Sequence, residues 1–403
     1  MSILVKIADL DLSGKTVLVR EDYKVPLKNG EVTDDTRIRA TLPTINQLLA
    51  AEAKIILISH LGRPKAGEYD DAFSLAPVAK RLSELLDCEV PLIRDWVNGV
   101  DMGEHNIVLC ENARFEAGET KDDEELSRKM AQMCQVYIND AFATAHRAQA
   151  STHGVAKYAA VAAAGPLLIT ELKALTKALR DPAKPLVAIV GGAKVSTKLT
   201  ILETLSEKVD QLIVGGGIAN TFLKSAGYEI GKSLYEPDLV NVASSLLEKA
   251  KEKGCDIPLP VDVIVGKEFN ENAKATIKPI SEVEADDMIM DVGPKTSKLL
   301  NTYINDAATI VWNGPLGVFE FDQFSQGTAS LSKSIAASNA YSIAGGGDTI
   351  AAISKFKIAD DISYISTGGG AFLEFLEGKK LPAIELLEEA ARAWEAMEKA
   401  REL

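Results

Sequence analysis

Four times in its second half the chain runs an apolar strand straight into a glycine cluster. The stretches are VAIVGGAKVS (187–196), LIVGGGIAN (212–220), SIAGGGDTI (342–350) and YISTGGGAF (364–372). Each passes from buried-strand composition, through a turn that glycine tolerates best, toward a helical pattern. One such cluster is equally well a tight turn with no ligand. Four, at equivalent points of successive strand–helix units, would bring backbone N–H groups and helix starts to one anionic ligand of nucleotide size. None completes GxxxxGK[ST]. None completes GxGxxG either, because Asn220 and Ile350 stand where the third glycine belongs.

With 403 residues the chain is long enough for about two or three domains. Its 46% hydrophobic and 25% charged residues are those of a globular protein. A net charge of −14 disfavours a broad nucleic-acid surface, though not a local basic site. Cys88, Cys110, Cys134 and Cys255 form no CxxC pair, so neither a disulfide framework nor structural zinc is expected. The opening MSILVKIADLDLSGK lacks a signal-peptide apolar region, and no apolar run is long enough to span a membrane. The expectation is a cytoplasmic enzyme with no nucleic-acid or membrane partner.

The first half repeats a different unit: strand, basic residue, helix. Residues 17–19 lead to Arg20, Glu21 and Asp22; 55–59 lead to His60, Gly62 and Arg63; 107–112 lead to Arg114; 136–140 lead to His146 and Arg147. Pro26, Asn29 and Gly30 mark a hairpin or loop, and a helix starting near Thr33–Asp35 carries Arg37 and Arg39 in its first turns. Arginine there opposes the helix dipole, which suggests that Arg37 or Arg39 is kept for a ligand. In an open α/β sheet the strand carboxyl ends form the ligand face. Any one of these arginines alone reads as a surface salt bridge. His60, Arg63, Arg114 and Arg147 on one edge, with Arg37 nearby, read as a pocket for a small, multiply charged anion. No zinc-ligand spacing accompanies His60 or His146, so both are taken as polar pocket groups.

The expected fold is α/β: two Rossmann-like three-layer lobes with parallel sheets, joined by a hinge helix. The N-terminal domain takes residues 1–168 and the connector 169–185, with TELKALTKALRD (170–181) as its helix. The nucleotide domain takes 186–378, and residues 379–403 form a tail helix. Ile384, Leu387, Ala391 and Trp394 form the tail's apolar stripe, which must pack on something already folded. Lys194 and Lys198, at i and i+4 near a helix start, would share a face and reach one anion. Asp348 is the carboxylate best placed to hold magnesium, or else it caps the next helix, a task Thr349 could share. Glu320 could accept hydrogen bonds from a ribose.

A small-anion domain beside a magnesium-nucleotide domain suggests a kinase whose lobes close to exclude water. No general base stands out, as expected when the acceptor is already ionised at neutral pH. The alternatives are a kinase for another anion, a catalytically dead nucleotide-binding scaffold, and a dehydrogenase, the last disfavoured by the missing GxGxxG.

From end to end the chain resembles the phosphoglycerate kinase family. The segments that carry the resemblance are VLVREDYKVPLKNGEVTDDTRIRATLPTI (17–45), SHLGRP (59–64), ENARF (111–115), DAFATAHRAQAS (140–151), GGAKVSTK (191–198), GGGIANTFL (215–223), WNGPLGVFE (312–320), GGGDT (345–349) and STGGGAFLE (366–374). The resemblance implies reversible phosphoryl transfer between 1,3-bisphosphoglycerate plus ADP and 3-phosphoglycerate plus ATP, with Mg2+, in glycolysis, by a monomer whose tail helix (379–403) returns to the N-terminal domain. It implies a 3-phosphoglycerate site of Asp22, Tyr23, Lys24, Arg37, His60, Leu61, Gly62, Arg63, Arg114 and Arg147. It further implies that Arg37, Lys194 and Lys198 serve the transferring phosphoryl group, and that Gly368, Gly369 and Gly370 offer N–H groups to transition-state charge. Asp348 would hold the metal, while Asn313, Gly346, Gly347 and Thr349 would lie at the phosphates. Gly192, Gly215, Gly216 and Pro315 would frame the nucleoside, and Glu320 would hold the ribose. One departure stands out: the family's R-x-D-F-N-V-P reads REDYKVP here, with Lys24 for Asn and Tyr23 for Phe. Lysine adds charge and loses an acceptor, so altered binding of 3-phosphoglycerate is expected.

Overall fold

The computed structural model describes residues 4–401. The outer ends of the expected first domain and tail, residues 1–3 and 402–403, lie outside them. The chain divides into two compact units: one runs to Lys173 and resumes at Lys380, and the other is Ala174–Lys379.

The first unit is built on a six-stranded sheet: β1 (Thr16–Arg20), β2 (Lys54–Ile58), β3 (Leu92–Ile93), β4 (Ile107–Cys110), β5 (Val136–Asn139) and β6 (Ala162–Ala164). The strands run parallel in the order β3-β4-β2-β1-β5-β6. Val17, Val19, Ile55, Leu57, Ile107, Leu109, Val136 and Ile138 alternate into one core cluster. The residues between them, Leu18, Ile56, Val108 and Tyr137, are buried too. A parallel sheet covered on both faces needs such unbroken apolar strands. Helices α1 (Thr36–Ala50), α2 (Ala76–Leu86) and α3 (Glu124–Gln132) follow β1, β2 and β4. The Pro26–Gly30 turn is a hairpin between Leu27–Lys28 and Glu31–Val32, with Asn29 and Gly30 both at positive φ, as a two-residue hairpin turn demands.

Two strands escape the sequence pattern. β3 has only two residues, and β6 is three alanines whose edge pairing with β5, not propensity, makes them a strand. Helix α4 (Pro166–Leu179) begins four residues before the expected Thr170. Asp140, from the end of β5, accepts the Leu168 N–H at 3.0 Å, and Pro166 suits a first helical position. The division between the units falls within this helix.

The second unit contains β7 (Leu186–Gly191), β8 (Gln211–Gly215), β12 (Thr309–Asn313), β13 (Tyr341–Gly345) and β14 (Tyr364–Ser366), parallel in the order β8-β7-β12-β13-β14. The intervening β9 (Asp262–Gly266), β10 (Thr276–Pro279) and β11 (Met288–Val292) form a separate antiparallel sheet, β10-β9-β11, which the expectation of parallel sheets alone leaves out. All four glycine clusters lie at carboxyl ends of the parallel strands. They lead to α5 (Leu199–Ser206), α6 (Gly216–Ser225), α10 (Gly347–Phe356) and α11 (Gly370–Leu376), while α7 (Val240–Glu252), α8 (Pro294–Asp306) and α9 (Gln326–Ala337) complete the unit.

The final helix, α12 (Pro382–Arg401), belongs to the first unit, packing against β6 and the short helix Val155–Tyr158. Ala391 joins the first unit's core and Trp394 packs against it. Leu387 is 1% exposed, a burial that stabilises by about 2 kcal/mol.

Candidate active site

In the first unit the basic residues gather at the carboxyl ends of β1, β2, β4 and β5. Asp22, just beyond β1, accepts the Lys24 N–H at 3.2 Å and forms an ion pair with Arg37 from the first turn of α1. Arg39 faces elsewhere: it is exposed and pairs with Asp35, which also holds Arg81. Of the two arginines that oppose the helix dipole, Arg37 is therefore the one at the cluster.

His60 is 4% exposed, and its Nδ1 lies 3.0 Å from an Arg20 guanidinium nitrogen. Burial, and then the charges of Arg20, Arg114, Arg147 and Lys24, push His60 far below the usual histidine range, so the ring is neutral. Arg114 donates to the Gly62 carbonyl at 2.6 Å, while its buried Nε has no hydrogen-bond partner among the described residues. Burial and the like charges of Arg147, Arg20 and Arg63 bring Arg114 down to about 10, with Glu119 opposing. Arg147 donates through Nε to His146 Nε2 at 3.1 Å, and Arg63 is exposed.

Two expected site residues turn their side chains inward. Tyr23 is fully buried and its hydroxyl meets Thr41 at 3.2 Å, so its side chain belongs to the core and not to a ligand site. Leu61 is likewise buried, with its N–H donated to Asn112 Oδ1 at 3.3 Å. Gly62 is there for shape: at φ +63 a Cβ would stand 2.2 Å from the Phe73 ring. Sequence reasoning also missed the support behind His60. Arg20, Ser151 and Glu119 are fully buried and bonded in series. The available signal was an arginine at the end of an otherwise apolar strand.

In the second unit a cavity of ≈ 270 Å³ is bounded by Gly192, Gly216, Pro315, Glu320 and Asp348. Its apolar wall, which the sequence did not reveal, includes Leu234, Phe269, Met288 and Val318. Those residues come from loops and the antiparallel sheet, where no periodicity marked them. Gly215 lies beneath the lining, where a Cβ would come within 2.5 Å of the Pro315 carbonyl. Gly216 has φ +65, and a Cβ there would stand 2.7 Å from the Gly192 carbonyl, so two glycine turns touch through their backbones.

Lys194 and Lys198 do not share an α-helical face. A 3-10 turn, Val195–Thr197, separates them; Lys194 is exposed, and Lys198 precedes α5 with its ammonium on Asn313 Oδ1. Burial lowers the Lys198 pKa, opposed by the carboxylates of Asp348 and Glu377. Asn313 is 3% exposed and donates to the Gly345 carbonyl at 2.7 Å. The Thr349 hydroxyl accepts the Gly314 N–H at 2.8 Å, so Thr349 braces the turn after β12. Gly346 and Gly347 follow β13, and Asp348 stands exposed in the first turn of α10. Of the third expected set, buried Gly368 donates its N–H to Ser366, whereas Gly369 and Gly370 are exposed.

Two other features do not fit the chemistry. A depression of ≈ 730 Å³ in the first unit shares no residue with the basic cluster, and its charges pair internally through Asp35, Arg81 and Glu84. The acidic trio Glu284, Asp286 and Asp287 is neutralised by Lys267 and Lys278.

Known proteins match this arrangement along nearly the whole chain. The phosphoglycerate kinase family model covers residues 7–379. A phosphoglycerate kinase from Nitratidesulfovibrio vulgaris (strain DSM 19637 / Miyazaki F) is 60% identical over 386 residues, 96% of this chain and 98% of that protein. The structure of phosphoglycerate kinase from Coxiella burnetii is similar with a TM-score of 0.94 at 56% identity, covering 96% of this chain and all (100%) of that one. That of the Pyrococcus horikoshii OT3 enzyme reaches 0.78 at 32% identity, covering 97% and 100%. A likeness this deep, across both units and all the glycine turns, makes the chain a member of the phosphoglycerate kinase family.

Proposed function

We propose how this chain's residues divide the reaction of its family, the reversible transfer of a phosphoryl group between 1,3-bisphosphoglycerate plus ADP and 3-phosphoglycerate plus ATP. The first unit takes 3-phosphoglycerate through His60, Arg63, Arg114, Arg147 and the Arg37–Asp22 pair, with Lys24 at the rim. The second takes the nucleotide, its base and ribose in the cavity bounded by Gly192, Gly216, Pro315 and Glu320. The enzyme works in the cytoplasm as a monomer.

One observation carries this reading. In a protein of net charge −14, guanidinium groups crowd around His60 closely enough to lower the pKa of Arg114 among them. Their repulsion costs folding energy that a bound multiple anion would relieve.

Acceptor chemistry fits the residues present. The carboxylate of 3-phosphoglycerate is ionised at neutral pH and needs no general base, so positioning and charge neutralisation do the work. Arg37 neutralises the group on the substrate side. Lys198, held by Asn313 and partly desolvated, meets the transferred phosphoryl, and exposed Lys194 adds long-range charge. The N–H groups of Gly369 and Gly370 are the donors offered to transition-state charge. Magnesium fits: it takes one or two carboxylates plus phosphate oxygens, and Asp348 is an exposed carboxylate on the cavity lining close enough to act on Lys198. Bound there, it would neutralise phosphate charge.

A coupled assay with ATP and 3-phosphoglycerate tests the assignment. Arg37→Ala and Lys198→Ala should each lower kcat by roughly 100-fold or more, with smaller changes in the two KM values. Full activity in either variant would remove that residue from the site.

A further inference from the structure

Behind the anion site lies a chain of four buried polar groups, and at its histidine end the donors and acceptors leave no choice of direction. Glu119, fully buried, accepts the Ser151 hydroxyl at 2.5 Å and the Ser151 N–H at 2.9 Å. With its hydroxyl hydrogen directed at Glu119, the Ser151 oxygen accepts from Arg20 Nε at 2.9 Å. Arg20 also donates to the Glu21 carbonyl, and a second terminal nitrogen reaches His60 Nδ1 at 3.0 Å. A guanidinium has donors only, so Nδ1 must be the acceptor. We propose that Arg20 is a positioning residue that fixes His60 as the neutral Nε2–H tautomer, leaving Nε2–H as the ring's only donor to a bound anion.

The groups around the ring act in one direction. Arg20 lies behind it, and Arg114, Arg147 and Lys24 are the next largest charges acting on it. All four are positive, and with burial they disfavour a second ring proton. His60 therefore contributes a hydrogen bond and no charge, and anion binding carries no His60 step between about pH 5 and 8. His146 supplies an internal contrast. Its Nε2 accepts from Arg147 Nε, so the same reasoning puts its proton on Nδ1. Two neutral histidines of one site then carry opposite tautomers.

That His60 uses its donor on 3-phosphoglycerate rests on the substrate reading above; the tautomer does not. The test is nitrogen-detected NMR of the ligand-free, 15N-labelled protein, which has only 4 histidines, with His60 assigned by loss of its signals in His60→Gln. The expected spectrum shows His60 as Nε2–H and His146 as Nδ1–H, with the His60 signals stationary from pH 8 to 5. An Nδ1–H or titrating His60 in that range overturns the proposal. In Arg20→Gln the His60 ring should lose its single tautomer or begin to titrate; an unchanged ring in the folded variant also overturns it. Should that variant not fold, the wild-type spectrum decides alone. Adding 3-phosphoglycerate to the same sample separates the two readings: unmoved signals from an Nε2–H ring would sink the substrate assignment and leave the tautomer standing.

Discussion

The Asn313 side-chain amide donates to the Gly345 carbonyl across 2.7 Å while its oxygen accepts from Lys198. One buried residue at the end of β12 thus joins the first and third glycine turns, and the Thr349 hydroxyl fixes the next peptide, Gly314. Lys198 is flexible and partly desolvated, and this acceptor sets where its charge rests. Asn313→Leu keeps the approximate volume but removes both bonds. The expected result is a fall in kcat of about 10-fold or more with a smaller change in nucleotide KM. Orphaning the buried Gly345 carbonyl should also cost about 1–3 kcal/mol in chemical denaturation. A kcat within about twofold of wild type would show that Lys198 needs no such support.

Lys24 is exposed at the rim of the basic cluster, close enough to His60 to act on its charge state. Its N–H is tied to Asp22, but its ammonium is the part that sets it apart from asparagine. An extra positive charge attracts a multiply charged anion through a screened, long-range interaction. Lys24→Asn should therefore raise the KM for 3-phosphoglycerate by about threefold at low ionic strength. The difference should vanish as salt is added. Equal KM values at low salt would mean that the ammonium swings away from the site.

Tyr23 sits one residue from both Asp22 and Lys24, yet its buried hydroxyl meets only Thr41 among the hydrogen bonds of the described residues. Tyr23→Phe should leave both KM values unchanged and lower stability by about 1 kcal/mol. A substrate-affinity change without a stability change would return this residue to the ligand site.

The difference between Tyr23 and Arg37 shows what the sequence made legible. Strand ends followed by charge or glycine pointed to His60, Arg114, Lys198 and Asp348, and a helix start pointed to Arg37, because apolar runs, caps and turn chemistry are local signals. Which face a side chain takes after the strand ends is decided by packing, and neighbours along the chain do not reveal it. Tyr23 and Leu61 turn into the core for that reason. The connection of Arg20 through Ser151 to Glu119 was unreadable because the partners lie far apart along the chain: Arg20 bonds Ser151 and Ser151 bonds Glu119 across sequence separations of 131 and 32. β6 was missed because three alanines carry little strand preference until an edge is offered to them. The antiparallel β10-β9-β11 sheet was blurred by its acidic loops, where alternation is weak.

Asp291 makes the last case, in the cavity wall of the second unit. Its carboxylate accepts N–H groups from Gly327 at 2.7 Å and Val292 at 2.9 Å. Gly317 and Gly327 press so close that a Cβ on either would come within 2.3 and 2.4 Å of Oδ1. Burial pushes this acid up to about 7 against those donors. Between its ordinary range and that value, the folded state holds a proton that the unfolded chain has released. The stability this group contributes is therefore full below about pH 4 and lost as pH rises through 7, at up to about 1.4 kcal/mol per pH unit. Asp291→Asn cannot titrate, and its amide opposes one backbone N–H, so the variant should be less stable at every pH. The gap between wild type and variant should be widest near pH 5 and narrow toward pH 8, because only the wild type loses stability through this group. Denaturation curves at pH 5, 6, 7 and 8 measure the gap directly, and the acids raised by burial in the first unit, such as Glu21 and Glu119, cancel in the difference. A constant gap across that range would show that Asp291 is ionised throughout, with its N–H donors outweighing burial.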